Sequence, residues 1–223
     1  MARQNSKSSC PLCSRVVEQR SASPFDQVLA DGDHSLVVPA LGMFVPGYLL
    51  VVSKEHVGSF ALLGSEALDG VNSMIASAEQ LLSPRFGEYI RFEHGQGPDP
   101  TMRAGGCIDH AHIHLLPVEH AVTVHLLTSL EWSPFQEFRD LATLDKTSYA
   151  YLGVENRHYR TIEVSLPSQW FRHQVGQALA KDTWDWAAYA GSRELTETLT
   201  YLQSTELPAP FNSISAKDAF AAT

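Results

Sequence analysis

Three histidines alternate with apolar residues in the segment His110-Ala-His112-Ile-His114. Side chains along a β-strand point to alternate faces, so a strand over residues 108–117 places all three imidazoles on one face. A buried ring nitrogen without a partner costs free energy, which makes three stacked histidines expensive as simple packing. The spacing therefore indicates a cluster with a chemical role rather than three unrelated histidines.

Two kinds of chemistry suit such a cluster. Alternating histidines can supply two or three ligands to a catalytic Zn²⁺ ion, which activates a bound water molecule. Alternatively, one imidazole attacks phosphorus directly while its neighbours orient it and hold the phosphate oxygens. The residue types alone leave both mechanisms open.

The three cysteines of the chain include one closely spaced pair, Cys10 and Cys13, whereas Cys107 stands alone. In a reducing compartment, a Cys-x-x-Cys pair indicates metal binding or redox chemistry rather than a structural disulfide. The pair does not follow a strand of a thioredoxin-like unit, which disfavours the redox function. A metal site and a reduced pair without metal remain the alternatives.

The elements that must position these groups follow from apolar periodicity. Short apolar runs predict strands over residues 27–30, 36–39, 48–53 and 88–92. A loop over residues 95–106 then leads to the histidine strand. Apolar residues at helical spacing predict a helix that begins near Ser65 and ends before Pro84. The residues of that apolar stripe are Leu68, Val71, Ile75, Ala78 and Leu82.

The chain changes character after Val118. Beyond it, we predict strands over residues 149–152 and 159–164 and helices over 167–180 and around 195–202. The sequence therefore predicts four parts. They are a flexible N-terminus (1–9), a catalytic domain (10–120), a C-terminal extension packed on the core (121–205) and a disordered tail (206–223).

Charge and hydropathy exclude some classes of partner. The 16 basic and 25 acidic residues give a net charge of −9, and no basic stripe for a long nucleic acid is visible. A small phosphorylated ligand needs only a local set of donors. No run approaches the roughly 18 consecutive apolar residues of a membrane-spanning helix, and the first residues lack the apolar segment of a secretion signal. We therefore expect a cytoplasmic protein that binds neither membrane nor long nucleic acid.

The order of the motifs resembles that of the histidine-triad superfamily over residues 10–118. The matching features are the Cys-x-x-Cys, the run from Pro46 to Val57 that includes His56, the following helix, the glycine pair before the histidines, and the His-φ-His-φ-His-φ-φ signature itself. The resemblance implies an α+β fold, with an antiparallel sheet of about five strands and a packed helix. It also implies a homodimer that acts as a nucleotide hydrolase or nucleotidyl transferase on a small nucleotide-like phosphorylated substrate.

The resemblance also implies a role for each motif residue. His112 is the nucleophile that attacks the α-phosphorus and forms a nucleotidyl-histidine intermediate, and His114 holds a non-bridging phosphate oxygen. The backbone amides of Gly105, Gly106 and Cys107 form a nest for the anion. A structural Zn²⁺ ion is held by a second set of residues: Cys10, Cys13, His56 and His110.

Some positions depart from the family pattern. Many relatives carry Gln in place of Gly106 and Ser or Thr in place of Cys107, where the side chain assists the leaving group; a thiol donates only weakly. His94 stands near a position where relatives often carry Asn, and we expect it to contact substrate. These departures leave two alternatives to covalent catalysis: a nucleotide-binding or regulatory protein with little turnover, and a hydrolase in which the triad holds a catalytic zinc.

The extension carries no motif that specifies a reaction. Arg172 could reach a phosphate, but an exposed arginine on a packed helix is the favoured expectation. Trp184 and Trp186 are expected to belong to the core rather than to a base-stacking platform.

Overall fold

The computed structural model describes residues 10–18, 23–99, 104–162 and 165–211. The segment 1–9, expected to be flexible, lies outside the described residues, as do residues 212–223 of the expected disordered tail. Residues 206–211 of that tail are described, and Phe211 forms an isolated β-bridge with Ala30. The described parts of the chain contain no helix long and apolar enough to cross a bilayer.

One eight-stranded sheet organises the molecule, and each neighbouring pair of strands is antiparallel. The strands in chain order are β1 (Ala30–Asp31), β2 (Ser35–Pro39), β3 (Leu49–Ser53), β4 (Tyr89–Gly95), β5 (His112–Pro117), β6 (Ser133–Phe135), β7 (Tyr149–Val154) and β8 (Arg157–Ile162). Their order across the sheet is β1-β2-β3-β5-β4-β7-β8-β6.

The α+β class predicted from the sequence is confirmed, but the expected number of about five strands is wrong. The three additional strands come from the segment after residue 120, where β7 pairs with β4 along the register Ile90↔Val154 to Gly95↔Tyr149. Without β7, the buried strand β4 would present an unpaired edge. Pairing between distant segments satisfies that edge and extends the sheet.

Within the described residues, four α-helices accompany the sheet: α1 (Ser65–Phe86), α2 (His120–Ser129), α3 (Trp170–Ala178) and α4 (Ser192–Ser204). The predicted apolar stripe of α1 is confirmed, since all five of its residues are buried. Its predicted end is wrong, because α1 continues through Pro84 to Phe86. A proline this close to the C-terminus removes its own N–H bond without breaking the preceding turns.

The predicted histidine strand is half correct. Strand β5 begins at His112, whereas residues 108–111 approach it in irregular conformation. Two backbone bonds hold this approach: the amide of Ala111 donates to Val57 O at 2.7 Å, and the amide of Ser53 donates to Ala111 O at 3.0 Å. His110 therefore lies outside the strand, so the alternation of the strand does not determine the direction of its ring.

Helices cover both faces of the central strands. On one face, Phe171 of α3 stacks on Phe92 of β4, which in turn stacks on His114 of β5. On the other face, the buried carboxylate of Glu93 accepts from the amide of Phe60, in the turn just before α1. Strand β5, between β3 and β4, thus carries His112 and His114 on the face that α3 covers.

Candidate active site and metal centre

Four cysteine and histidine side chains converge at one end of β5. One potential ligand atom from each of Cys10, Cys13, His56 and His110 lies within 4.8 Å of all the others. Cys13 Sγ is 3.2 Å from His56 Nδ1 and 3.4 Å from His110 Nδ1, and the two Nδ1 atoms are 3.4 Å apart. A tetrahedral ion with the usual Zn–S and Zn–N bond lengths holds its ligand atoms roughly 3.3–3.8 Å apart. The cluster can therefore bind a metal ion.

The backbone around this cluster prepares His110 as a ligand. Its Nε2 atom donates to the carbonyl oxygen of Ser53, at the end of β3, at 2.7 Å. That bond places the ring proton on Nε2 and leaves the Nδ1 lone pair directed at the cysteines. Burial lowers the pKa of His110 to about 4, so the ring is neutral at physiological pH, as a metal ligand must be.

A second group of predicted residues lines a cavity next to the cluster. The cavity walls include His112 and His114 of β5, His94 of β4, and the loop residues Gly106 and Cys107. The structure thus brings five of the predicted catalytic and substrate-contact residues to one cavity.

His112 has one nitrogen bound to the backbone, and the other forms no hydrogen bond with any residue that the structure describes. Its Nδ1 atom lies 2.6 Å from the carbonyl oxygen of His110. A carbonyl can only accept, so Nδ1 carries the proton and Nε2 carries the lone pair. Burial lowers the pKa of His112, which keeps that lone pair available. An imidazole in this state can act as a nucleophile or a hydrogen-bond acceptor.

His114 is held by a tyrosine and a phenylalanine. Its Nδ1 atom lies 2.6 Å from the hydroxyl of Tyr48, and its ring stacks on Phe92 with 4.4 Å between centroids. Burial, followed by the charges of His112 and Arg172, lowers the pKa of His114 well below its usual value. The ring is therefore neutral, and its Nε2 atom forms no hydrogen bond among the described residues.

His94 is fixed by the glycine-containing loop. Its Nδ1 atom donates to the carbonyl oxygen of Ala104, and its buried Nε2 atom has no hydrogen-bond partner among the described residues. Burial lowers the pKa of His94 to about 4. Gly105, with φ +90°, lies directly against this ring, because a Cβ there would come within 2.9 Å of His94 Nδ1 and 2.7 Å of Pro167 O. Only glycine fits this close approach without strain.

Two residues of this region, Arg172 and Tyr48, were not predicted from the sequence to belong to it. Arg172 was expected to be exposed, but it is 3% exposed and lines the cavity. It is buried because the chain around it supplies carbonyls: it donates to Trp184 O at 2.7 Å, Leu41 O at 3.3 Å and Gly42 O at 2.5 Å. Tyr48 was read only as part of a strand, and its position in the motif after Pro46-Gly47 was the one available signal.

Trp184 and Trp186 are half-buried, and Trp186 also lines the cavity. Together with Arg172, it brings the segment after residue 120 into contact with the histidine site. The cavity is consequently built from both the predicted catalytic domain and the predicted extension.

No protein-family model and no curated protein matches this chain. Among solved structures, it is similar to a hypothetical protein from Leishmania major, with 20% identity and a TM-score of 0.43 over 51% of this chain and 75% of that one. It is also similar to a Hit-like protein involved in cell-cycle regulation from Bartonella henselae, with 13% identity and a TM-score of 0.41 over 50% of this chain and 81% of that one. Yeast Ap4A phosphorylase in complex with AMP shares 12% identity at a TM-score of 0.38, over 68% of this chain and 70% of that one. A Hit-like protein and an Ap4A phosphorylase are thus among the structures to which this chain is similar.

Proposed function

We propose that this chain is a histidine-triad nucleotide hydrolase or nucleotidyl transferase that works through a covalent nucleotidyl-histidine intermediate at His112. One observation carries the proposal: the bond from His112 Nδ1 to the carbonyl oxygen of His110 at 2.6 Å. This bond fixes the tautomer in which Nε2 has the lone pair needed to attack phosphorus, at the wall of the cavity.

The reaction has two steps. Nε2 of His112 attacks the α-phosphorus, a P–N bond forms, and the leaving group departs with the electrons of its bond to phosphorus. Water or another acceptor then attacks the same phosphorus, loses a proton, and breaks the P–N bond, so that neutral His112 is restored. Dividing the displacement in this way replaces one difficult step with two easier ones.

The neighbouring groups hold the substrate in this scheme. His114 contacts a non-bridging oxygen, and His94 contacts the substrate from the adjacent strand. The amides of Gly105, Gly106 and Cys107 form the anion nest, which is supported by their lack of an acceptor among the described residues. The Cys107 side chain lies nearest the leaving group in the family pattern, and the thiol assists its departure weakly.

A structural Zn²⁺ ion is proposed for the cluster of Cys10, Cys13, His56 and His110. The spacing of the ligand atoms and the Cys₂His₂ chemistry fit a closed tetrahedral site, which contributes folding energy rather than an open catalytic position. His110 serves this cluster through its ring and orients His112 through its carbonyl oxygen. The metal site would therefore keep the proposed nucleophile in position.

This arrangement favours covalent catalysis over zinc chemistry at the triad. Of the three triad histidines, only His110 joins the cysteine cluster within the described residues. The Nδ1 atoms of His112 and His114 are bonded to a carbonyl and to a tyrosine hydroxyl instead. We therefore assign metal binding to the Cys₂His₂ cluster and nucleophilic attack to the neighbouring histidines of the cavity.

The proposal is tested by intact-protein mass spectrometry after brief mixing with nucleoside phosphoramidates, dinucleoside polyphosphates and sugar nucleotides. We expect a nucleoside-monophosphate adduct that is absent from His112→Ala and retained in His120→Ala. His120 is the matched control because it is exposed at the start of α2, away from the cavity. Ligand binding without adduct or product, unchanged in His112→Ala, would instead establish the binding or regulatory protein.

The proposal includes a homodimer, which rests on the family resemblance. Analytical ultracentrifugation of the metal-loaded protein measures its mass directly. A sedimentation mass of twice the 24.6 kDa chain is expected, and a single-chain mass at micromolar concentration would refute this part of the proposal.

A further inference from the structure

The hydroxyl of Tyr48 is a buried group that lies within hydrogen-bond distance of a histidine ring. Tyr48 is 0% exposed, and its Oη atom lies 2.6 Å from His114 Nδ1. Either atom can in principle carry the shared proton. The choice determines whether the other nitrogen of His114, Nε2, is a donor or an acceptor where the ring lines the cavity.

The surroundings of the hydroxyl decide where its proton goes. If His114 Nδ1 donated to Tyr48, the tyrosine's own proton would need another acceptor, and no described residue supplies one. Arg172 lies beside the tyrosine, with its guanidinium carbon 5.2 Å from the ring centroid, and a guanidinium has donors only. A buried unsatisfied hydroxyl next to a cation is costly, so the O–H points to His114 Nδ1.

Arg172 also influences the tyrosine electrostatically. Burial raises the pKa of Tyr48 to about 12, while the charge and hydrogen bonding of Arg172 act to lower that pKa. The tyrosine therefore keeps its proton over the physiological pH range. The positive charge of the Arg172 guanidinium attracts the lone pairs of the Tyr48 oxygen.

We propose that Tyr48 and Arg172 are positioning residues that hold His114 in the tautomer with its proton on Nε2. In this state His114 presents an N–H donor to the cavity, beside the lone pair of His112. The role assigned to the donor, binding a non-bridging phosphoryl oxygen, rests on the proposed function. The tautomer itself does not, and it can be measured on the protein without any substrate.

The chain contains a matched control for this arrangement. Tyr151, also 0% exposed, is hydrogen-bonded to His158 Nδ1 at 3.0 Å, and neither residue lines the cavity. Tyr151→Phe and Tyr48→Phe thus remove the same hydroxyl from the same kind of buried pair. Only the second is expected to affect His114.

The direct experiment is nitrogen-15 NMR of the histidine rings in the full-length metal-loaded protein, with His114 assigned by a His114→Gln variant. We expect the wild-type His114 to be protonated on Nε2, with Nδ1 resonating as a hydrogen-bonded acceptor. Tyr48→Phe and, separately, Arg172→Met should raise the population protonated on Nδ1, whereas Tyr151→Phe should not. A wild-type His114 protonated on Nδ1, or a tautomer ratio unchanged in both cavity variants, would overturn the proposal.

Kinetics provide the second test once a substrate is found. Tyr48→Phe should lower kcat about tenfold with a small change in KM, short of the roughly hundredfold loss that follows removal of a transition-state donor. The effect should disappear in a His114→Ala background, because positioning residues act only through the residue they position. An additive effect in the double variant would contradict the proposal. Absence of any covalent intermediate would overturn the proposed function and leave the NMR result standing.

Discussion

Two arginines of this chain lie beside a tyrosine that is hydrogen-bonded to a histidine, and they differ in their counter-ions. Arg91 accompanies Tyr151 and His158, and Glu79 binds its guanidinium at 2.6 and 2.5 Å. Arg172 accompanies Tyr48 and His114, and no carboxylate forms an ion pair with it in the described part of the chain. Its charge has a minor effect on half-buried Asp185, whose pKa is lowered mainly by hydrogen bonds from the Gln169 side chain and the amide of Ala187.

The difference lies in how the charges of the two buried arginines are compensated. A buried cation is tolerated when a carboxylate and hydrogen bonds compensate its desolvation, and Glu79 does this for Arg91. Arg172 is compensated by three backbone carbonyls and by the ring faces of Phe44 and Tyr48, which leave its charge unneutralised at the cavity wall. An anionic substrate is the partner that such a site favours.

The largest expected effect is a loss of turnover on removal of His112, the proposed nucleophile, in contrast to removal of His158 beside Arg91. His112→Ala should reduce turnover by about 10⁴-fold or more, because it removes the lone pair proposed to attack phosphorus. His158→Ala, in the Arg91 group, should keep turnover within a few-fold of wild type and lower stability instead. Steady-state kinetics and urea unfolding of both variants measure this; substantial turnover in His112→Ala would refute covalent catalysis.

The Cys₂His₂ cluster is connected to the cavity through His110, whose carbonyl oxygen accepts a hydrogen bond from His112. Among the described residues, no such bond links the cluster to Arg91, Tyr151 and His158. Cys13→Ser should abolish stoichiometric zinc and lower the free energy of unfolding by several kcal/mol, since binding of a structural metal is coupled to folding. Cys107→Ser is the matched control and should retain the metal. Elemental analysis of the purified proteins and thermal unfolding provide the two readouts, and a Cys13→Ser protein with full zinc content would exclude this site.

Removing the counter-ion of Arg91 tests the comparison directly. Glu79→Gln leaves Arg91 as a buried cation without a carboxylate, the condition in which Arg172 already exists. We expect a loss of about 3 kcal/mol in the free energy of unfolding, as for other broken buried pairs. Glu197→Gln, which removes the partner of the exposed Arg85, should cost less than about 1 kcal/mol. Equal losses in the two variants would mean that burial of the pair is unimportant.

Glu93 is a buried carboxyl group that accepts hydrogen bonds but, among the described residues, forms no ion pair. Burial raises its pKa from 4.5 to about 7, although Tyr149 and the amide of Phe60 donate to it. The folded state then binds a proton more tightly than the unfolded state, so this group's contribution is fully present below pH 4.5 and is lost as pH rises through 7. Relative to Glu93→Gln, wild-type stability should fall by about 2 kcal/mol from pH 5 to pH 8. A difference that rises with pH would contradict the assigned direction.

The smallest expected effect concerns the unpaired arginine. Arg172→Met keeps the length and apolar packing of the side chain and removes its charge. KM for an anionic nucleotide should rise about tenfold, the size of one hydrogen bond to a charged group. Arg91→Met should leave KM unchanged while it lowers stability. An unchanged KM in Arg172→Met would show that Arg172 does not bind the anionic substrate.

The local features of the fold could be predicted because they follow from the short-range periodicity of apolar residues in the sequence. The stripe from Leu68 to Leu82 specifies the buried face of α1 wherever the helix packs. Alternation in β5 likewise places His112 and His114 on the same face. The end of α1 beyond Pro84 could not be predicted, since a proline near a helix terminus permits either outcome.

The site required contacts between distant parts of the chain. His110 has the same spacing as its neighbours, yet it lies before β5, because the amide of Ala111 donates to Val57 O and Ser53 O accepts from the His110 ring instead. The pairing of β7 with β4 depends on which distant segment meets an open edge, and no local pattern encodes that choice. The position of Arg172 depends on the carbonyls of Leu41 and Gly42, about 130 residues earlier in the chain.

The sequence by itself thus determined the α+β class, the helix face, the cysteine pair and the histidine alternation. Each of these follows from residue types a few positions apart. The tertiary structure alone decided the eight-stranded sheet, the division of the triad between the Cys₂His₂ cluster and the cavity, and the placement beside Tyr48 and His114 of an arginine that forms no ion pair among the described residues. The physical reason is that hydrogen-bond partners and counter-ions of buried groups are chosen among distant segments, where local periodicity carries no information.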